Sequence, residues 1–465
     1  MSKDIDFLVI GGGPSGHRAA IQAGKAGKSV LLVEQGPSLG GECVSRGTIP
    51  SKTLRETASY LAGLRDRSEG VLDFQLASDM KVASLMRRLK NVRENHESYM
   101  GRQVDRNGVE RLHGRATFLN PHKLEIHLRD GGRKKVSAKH VVIATGSRPR
   151  DPENVPIDHE LVLDSDSILS LIYLPRTLAV LGGGVIASEF ASIFAALGVE
   201  VTMIDRRARP LDFLDPELSG EFVRTFEAKG GRFIGSAAFE SIRADGYEVK
   251  VNVGGGEVLT VDKCLCALGR VANVDGLNLE AAGVELDKRG IIPVDEFGRT
   301  NTPGIYAVGD VVGPPALAAT AIMQGRIAVR HALDLPIDDI SDQVPIGIYT
   351  IPEIASIGLA EEEARERHGD IFVGRATFGE IARGQISGNV NGLLKIIVAP
   401  DGKLLGTQIA GEGATELIHV AQMAMYARLT VDAFLQNVFN FPTLAEAYRV
   451  AALSVSSQIV QRKAA

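Results

Sequence analysis

Phe7-Leu8-Val9-Ile10-Gly11-Gly12-Gly13-Pro14-Ser15-Gly16 and Leu178-Ala179-Val180-Leu181-Gly182-Gly183-Gly184-Val185-Ile186-Ala187 are two copies of one pattern, and that pattern decides the fold. Each copy is an apolar run that reads as a buried strand, then a glycine-rich turn, then residues at helical spacing. A second apolar run ending in an acid follows each, Ser29 to Glu34 in the first copy and Val199 to Asp205 in the second. Gly11 matches Gly182, Gly13 matches Gly184, Gly16 matches Ala187 and Glu34 matches Asp205, all at the offset 182 − 11 = 171. A constant offset through strand, turn, helix and acid marks a duplicated β-turn-α-β unit. In a Gly-x-Gly-x-x-Gly turn the first glycine bends the chain, the second lets a pyrophosphate reach the backbone, and the third lets helix pack on strand. Free N–H groups and the dipole at the helix N-terminus attract the anion, and an acid about 20 residues on takes the ribose hydroxyls. Glu34 follows Gly13 at that distance. One copy alone could be a ligand-free connection. Two copies with acids at matching distance predict two dinucleotide sites.

Around these units the chain alternates in character. Thr53 to Asn107 predicts helices whose charged face, with Arg87, Arg88, Lys90 and Arg93, is solvated. From Gly114 short strands with an Asp130-Gly131 turn lead to the buried run Val141 to Ala144 and the turn Thr145-Gly146. A second strand-rich stretch, Ala237 to Ala267, closes on Leu268-Gly269-Arg270. Ile305 to Val308 is another buried strand, ending in Gly309-Asp310 before a helix from about Leu317 to His331. Beyond Val344 come the strands Leu393 to Val398 and Leu404 to Ile409, then helices Ala414 to Ala427 and Leu444 to Ile459. This last part carries no glycine fingerprint and reads as a separate domain.

Composition bounds the partners. The 465 residues exceed the roughly 250–300 at which one core stops growing. Apolar residues make up 44% and charged ones 23%, and no 18-residue uncharged apolar run is present, so neither disorder nor a membrane span is expected. The balance 52 − 57 = −5 and the lack of a basic block argue against nucleic acid as partner. Three cysteines cannot make a disulfide framework, and Met1 to Gly13 enters a strand without a signal-peptide pattern, so a cytoplasmic protein is expected. No metal is expected: the ten histidines are scattered, and His331 and His419 read as ordinary helix residues.

The most specific segment is Gly40-Gly41-Glu42-Cys43-Val44-Ser45-Arg46-Gly47-Thr48-Ile49-Pro50-Ser51-Lys52. With the two fingerprints, Ala144-Thr145-Gly146, Leu268-Gly269-Arg270 and Ile305 to Asp310, it resembles the two-dinucleotide-fold flavoprotein disulfide reductases from end to end. The resemblance implies an α/β chain of two Rossmann-like domains, for FAD and NAD(P), plus a C-terminal α+β dimerisation domain. The boundaries are 1–150 (FAD-binding, first part), 151–272 (NAD(P)-binding), 273–343 (FAD/central, second part) and 344–465 (dimerisation). It further implies FAD on the first unit, with Gly11, Gly13, Gly16, Glu34 and Asp310, and it implies Gly41, Cys43, Thr48, Thr145, Gly146, Gly309, Leu317 and Ala318 as cofactor-binding residues. Glu34 would meet the adenosine ribose and Asp310 the ribitol chain. Nicotinamide dinucleotide is implied on Gly182, Gly184, Ala187, Asp205, Arg206 and Arg207 of the second unit, and Gly269 and Arg270 are implied as further cofactor-binding residues. Lys52 is implied beside the flavin N5, paired with Glu189, where a cation stabilises the charge gained with hydride. Asp205 suits the free 2′-OH of NAD and the guanidinium forks of Arg206, Arg207 and Arg209 suit the 2′-phosphate of NADP; the alternative is that these arginines are surface charges on a loop.

The departures from that family carry the functional expectation. A disulfide reductase needs two cysteines separated by four residues, whereas here Cys43 is matched by Thr48, which cannot form the bond. Cys264 and Cys266 read as buried core thiols. The acid–base histidine of the family's His-Pro…Glu pattern is Phe441, before Pro442, with Glu446 retained. Val185 stands where glutathione reductases carry a gating tyrosine. With relay and base both missing, the chain resembles the soluble pyridine nucleotide transhydrogenases, which implies ping-pong hydride transfer from NADPH to NAD through FAD. Cys43 reads as a leftover or weak modulator. The alternatives are an NAD(P)H:quinone or diaphorase-type reductase and, in a different class, a non-catalytic flavin-containing binding protein. The expected assembly is a homodimer, with higher homo-oligomers left open.

Overall fold

The computed structural model describes residues 3–68, 81–337 and 343–464; residues 69–80 of the expected helical stretch lie outside the described residues. Two units make up the chain. The first comprises Met1–Thr53, Met86–Asp151 and Gly269–Ile340, and the second Leu54–Leu85, Pro152–Leu268 and Ser341–Ala465.

In the first unit Lys3–Ile10 is central in a parallel set, with Phe7 opposite Val30 of Val30–Glu34 on one side and Leu8 opposite Val141 of Arg133–Ile143 on the other. Ile305–Ala307 adds beyond Arg133–Ile143, and the start of Glu110–Asn120 adds beyond Val30–Glu34. Residues 7–10 and 30–33 are buried at successive positions, the burial a parallel sheet covered on both faces demands. The far end of Glu110–Asn120 returns through Lys123–Leu128 to Arg133–Ile143 as an antiparallel meander. Its inward alternation, Ala116, Phe118, Leu124, Ile126 and Val136, packs on Leu277 and Leu279. The Pro14–Lys25 helix lies close to the Ala318–Ala332 helix because small residues meet there: a methyl group on Gly325 would stand 2.2 Å from the Ser15 carbonyl oxygen.

In the second unit five parallel strands lie in the order Arg232–Ile234, Glu200–Ile204, Thr177–Leu181, Lys263–Cys266 and Val162–Asp164. A three-stranded meander, Ser241–Asp245, Glu248–Gly254 and Glu257–Val261, accompanies them. Residues from 346 onward build a five-stranded antiparallel sheet in the order Ile346–Ile348, Ile354–Gly358, Leu404–Ala410, Leu393–Val398 and Phe372–Thr377. Helices Ala414–Tyr426 and Glu446–Ala464 bury Ile418, Ala421, Tyr448 and Ala451 in the same core as Leu394 and Ile396. Three strands of this sheet, Ile346–Ile348, Ile354–Gly358 and Phe372–Thr377, went unread in the sequence. The first two are only three and five residues long, too short for period-two alternation to stand out.

The duplication extends to individual hydrogen bonds. Gly11 N–H donates to Val33 O at 2.8 Å, and Gly182 N–H to Ile204 O at 2.8 Å. His17 to Gly13 (2.8 Å) corresponds to Ser188 to Gly184 (2.9 Å), and Gly40 to Gly12 (2.9 Å) to Leu211 to Gly183 (2.7 Å), with donors and acceptors equivalent or nearly equivalent under the repeat. The two glycine turns therefore share a backbone scaffold.

Candidate active site

Three glycines of the first turn do different work. Gly11 has φ +101°, and a methyl there would lie 2.3 Å from Ala144 O; a methyl on Gly16 would lie 1.9 Å from Gly11 O. Gly13 by contrast faces open space, its nearest neighbour being Gly41 Cα at 4.0 Å. It is the N-cap of the Pro14–Lys25 helix and carries no side chain to cap it, so the first turn presents its N–H groups outward. Glu34 is held at the rim of the turn: its carboxylate oxygens accept the Gly12 and Gly36 N–H groups, both at 2.6 Å. Each oxygen keeps lone-pair capacity for a ribose hydroxyl.

On the neighbouring strand end, Thr145 carries a buried hydroxyl without a partner, and its carbonyl accepts Asn273 Nδ2 at 3.0 Å. Asp310 enters through a relay the sequence did not disclose. Arg270 Nε donates to Ser147 Oγ at 2.8 Å, and Ser147 Oγ donates to Asp310 Oδ2 at 2.8 Å. Gly146 (φ +71°) turns the chain before Ser147, and the Gly309 N–H donates to Gln324 Oε1 at 2.8 Å. Leu317 caps the Ala318–Ala332 helix in extended conformation, and its carbonyl accepts the Ala321 N–H at 2.9 Å. Arg270, expected among the cofactor-binding residues, thus lies in the first unit and is linked to Asp310 through Ser147. Chain order hides this, because Arg270 follows the second fingerprint's domain in sequence yet pairs in space with Ser147, 123 residues earlier.

Cys43 sits on the short Gly41–Ser45 helix, reached through Gly40 and Gly41 at φ +113° and +56°. Thr48 opens the Thr48–Ser68 helix and Lys52 follows one turn on. Burial pushes the Cys43 thiol above its ordinary value, and the Thr48 hydroxyl and the Lys52 charge offset this only in part. The thiol is therefore neutral near pH 7. Cys264 and Cys266 are buried in the Lys263–Cys266 strand of the second unit.

In the second turn Gly182 (φ +111°) would place a methyl 2.7 Å from Ala267 O, whereas Gly184 has nothing within 4 Å. Ala187 takes the place of Gly16 and its methyl is buried. Asp205 accepts the Arg207 N–H at 2.7 Å. The three arginines separate here: Arg207 Nε pairs with Asp212 at 3.1 Å, and Arg209 donates to Asp212 O at 3.2 Å. Arg206 is exposed and makes no ion pair among the described residues. Gly269 (φ +103°) ends the strand region that Leu268 leaves. Glu189, on the Val185–Ala196 helix, is 5% exposed, and its Oε1 accepts the Tyr349 N–H at 2.9 Å. Ser192 one turn on accepts the Ile351 N–H at 3.1 Å, so the 349–351 segment fixes this helix face. Lys52 and Glu189 belong to different units. Val185, at the helix start, is half-buried. Phe441 is 75% exposed, and Glu446 accepts the Thr443 N–H at 3.3 Å.

Residues 5–325 match the family model described as pyridine nucleotide-disulphide oxidoreductase, and residues 344–452 match the dimerisation domain of the same family. The chain belongs to this family. A relative named soluble pyridine nucleotide transhydrogenase, from Mycobacterium bovis (strain BCG / Pasteur 1173P2), is 40% identical over 461 residues, covering 98% of each chain. One of the same name from Colwellia psychrerythraea is 40% identical over 468 residues, covering 97% of this chain and 98% of its own. Among solved structures, LpdA from Mycobacterium tuberculosis superposes with TM-score 0.89 at 28% identity, over 96% of this chain and 99% of that one. The Cu(II) complex of HOCl-induced flavoprotein disulfide reductase RclA from Escherichia coli gives 0.87 at 28%, over 97% and 99%.

Pyridine nucleotide-disulphide oxidoreductases work with FAD and a nicotinamide dinucleotide, and the residues here fit both. The open faces of Gly13 and Gly184 leave room where a pyrophosphate approaches, and the unpartnered Thr145 hydroxyl leaves a buried donor for a cofactor acceptor. Sequence reasoning missed Ser147, Gln324 and Tyr349. Ser147 had a visible signal, since it directly follows Ala144-Thr145-Gly146; the other two are placed by contacts across 15 and 160 residues.

Proposed function

We propose that this chain is a soluble transhydrogenase: NADPH + NAD⁺ gives NADP⁺ + NADH, with FAD as the resident cofactor. The observation that carries the reading is Thr48 beside Cys43, which leaves no dithiol through which electrons could pass to a disulfide. The name of the 40%-identical relatives, which this chain matches over nearly its full length, points the same way.

FAD, when bound, supplies the ring that accepts and returns a hydride. The chain's own residues bind and tune. Gly11, Gly13 and Gly16 present the Pro14–Lys25 helix N-terminus to the pyrophosphate, with Gly41 alongside and Glu34 on the ribose. Asp310, oriented through Ser147 by Arg270, accepts a ribitol hydroxyl, and Leu317 and Ala318 offer N–H groups from the Ala318–Ala332 helix. Lys52 holds positive charge where negative charge develops, the preorganised kind of stabilisation, and Glu189 is the second residue assigned to catalysis. Gly182, Gly184 and Ala187 receive the second pyrophosphate, and Asp205 and Arg206 read the ribose with and without its phosphate. One nicotinamide site that admits both nucleotides in turn implies ping-pong kinetics, with NADP⁺ leaving before NAD⁺ enters. The four-part division at 150, 272 and 343 assigns FAD to 1–150 with 273–343, nicotinamide dinucleotide to 151–272, and dimer contacts to 344–465. Exposed Met423, Tyr426, Val438, Phe441, Leu453 and Val460 on that last part support a homodimer.

Anaerobic addition of NADPH to the purified holoenzyme tests the reading. The expected result is loss of the visible flavin absorbance after one NADPH per chain and its full return on adding NAD⁺. Uptake of a second NADPH equivalent with a thiolate-to-flavin charge-transfer band, or a return of absorbance only with quinone, would overturn it.

A further inference from the structure

A buried ion cluster outside the glycine turns ends the segment that reads the nicotinamide nucleotide. Lys395, on Leu393–Val398, is 2% exposed, and its ammonium donates to Asp215 Oδ2 at 2.9 Å, Glu217 Oε1 at 2.7 Å and Glu361 Oε2 at 2.8 Å. All three of its protons are thereby used. Burial opposes the charged ammonium, yet the bonds to Glu217, Glu361 and Asp215 override it and hold the group above its ordinary value. Arg375 Nε donates to Glu217 at 2.9 Å and its Nη2 to Glu361 at 2.8 Å, and Arg365 closes on Glu361 at 2.7 Å.

Asp215 links this cluster to the nucleotide turn. It is 1% exposed and caps the Pro216–Ala228 helix, its Oδ1 accepting the Glu217 N–H at 3.0 Å. The segment before it begins at Asp205 and carries Arg206. Midway, Leu211 is held at φ +50°, a left-handed conformation unfavourable for a bulky side chain, by its N–H on Gly183 O and by Ser219 Oγ on its own carbonyl at 3.0 Å. A strained segment stays put only if its ends are fixed. Gly183 holds one side and the Asp215–Lys395 pair the other. An apolar side chain of similar volume would fill the Lys395 site without the desolvation that buried charge entails.

We infer that Lys395 is a positioning residue for nicotinamide dinucleotide binding, which through Asp215 sets the segment from Asp205 to Asp215 and hence the discrimination between NADPH and NADH. This rests on the proposed use of Asp205 and Arg206 at the ribose. The test uses purified holoenzyme of wild type, Lys395→Met, Lys395→Arg and Asp215→Asn, the last keeping the helix cap. Binding of NADP⁺ and NAD⁺ is titrated directly, alongside FAD content, KM and kcat. The expected result for Lys395→Met and Asp215→Asn is full FAD content, kcat near wild type, an NADP⁺ dissociation constant raised about tenfold and a smaller change for NAD⁺, so that the ratio shifts. Lys395→Arg should recover part of the loss. Unchanged affinities and ratio in folded variants would overturn the inference. Loss of folding in both Lys395→Met and Asp215→Asn would overturn it too, by making the cluster a stability element. Wild type that binds neither nucleotide would instead refute the underlying functional reading.

Discussion

Replacing Gly16 by alanine isolates the close approach on which the first turn depends. The added methyl would stand 1.9 Å from the Gly11 carbonyl oxygen, whereas ordinary contact begins at 3.4 Å, so the two atoms would overlap deeply. The obstacle is backbone and cannot rotate away. The helix cannot retreat either, since Ser15 O already lies within 2.2 Å of where a methyl on Gly325 would be. Overpacking of this kind costs about 1–3 kcal/mol, and rigid backbone on both sides argues for the upper end. If the distortion falls on the Gly11–Gly13 turn, about 3 kcal/mol weakens FAD binding more than ~100-fold. The assay is the FAD-to-protein ratio after desalting, followed by titration of apoprotein with FAD. Ala187→Gly is the matched control at the equivalent position of the second turn, where a methyl is already accommodated. It should cost only about 0.5–1 kcal/mol through backbone freedom and leave FAD content unchanged. A Gly16→Ala protein with wild-type FAD content and Tm would refute the close-approach argument.

Gly184→Ala tests the open turn: with nothing within 4 Å the methyl fits, so Tm and FAD content should hold, while KM for NADPH and NAD⁺ rises about tenfold or more, a loss of about 1.4 kcal/mol. Arg206→Ala should raise KM for NADPH by ~10–100-fold, the value of a charge-assisted bond of about 1.5–3 kcal/mol, and barely alter that for NADH. Arg207→Ala, whose guanidinium already serves Asp212, should do much less; steady-state kinetics with both substrates decides. In acid, Glu217 contributes stability because the Arg375 bond, with Lys395, lowers its carboxyl from 4.5 to about 2. Its folded value being depressed, that stability is complete above pH 4.5 and lost as pH falls toward 2. The full linkage of about 3 kcal/mol is discounted to ~1–2 for a side chain 37% exposed. Glu217→Gln should flatten the fall of Tm across that window; an unchanged slope would refute the assignment.

Much of the fold was legible because its code is local. The glycines at 11, 13 and 16, and their counterparts at 182 and 184, are dictated by turns of a few residues, and the repeat carries through to the hydrogen bonds. Cys43 with Thr48 is equally local, since the spacing of a dithiol is written within one short segment. The relay of hydrogen bonds from Arg270 through Ser147 to Asp310 was not legible. Its members lie up to 163 residues apart and carry no pattern in common.

The chain's own order of residues determined two glycine-rich turns, an acid following each, and Thr48 rather than a second cysteine near Cys43, because φ-demanding glycines and short spacings act within a few residues. The folded structure decided how three neighbouring arginines divide, since Asp212, only three to five residues on, engages Arg207 and Arg209 and leaves Arg206 exposed. It also decided that Lys395, a lysine in an apolar strand with no motif around it, is the buried centre of three carboxylates drawn from distant segments. Hydrogen-bond and ion-pair partners are chosen by proximity in space, and proximity across 180 residues exists only after the sheets have packed.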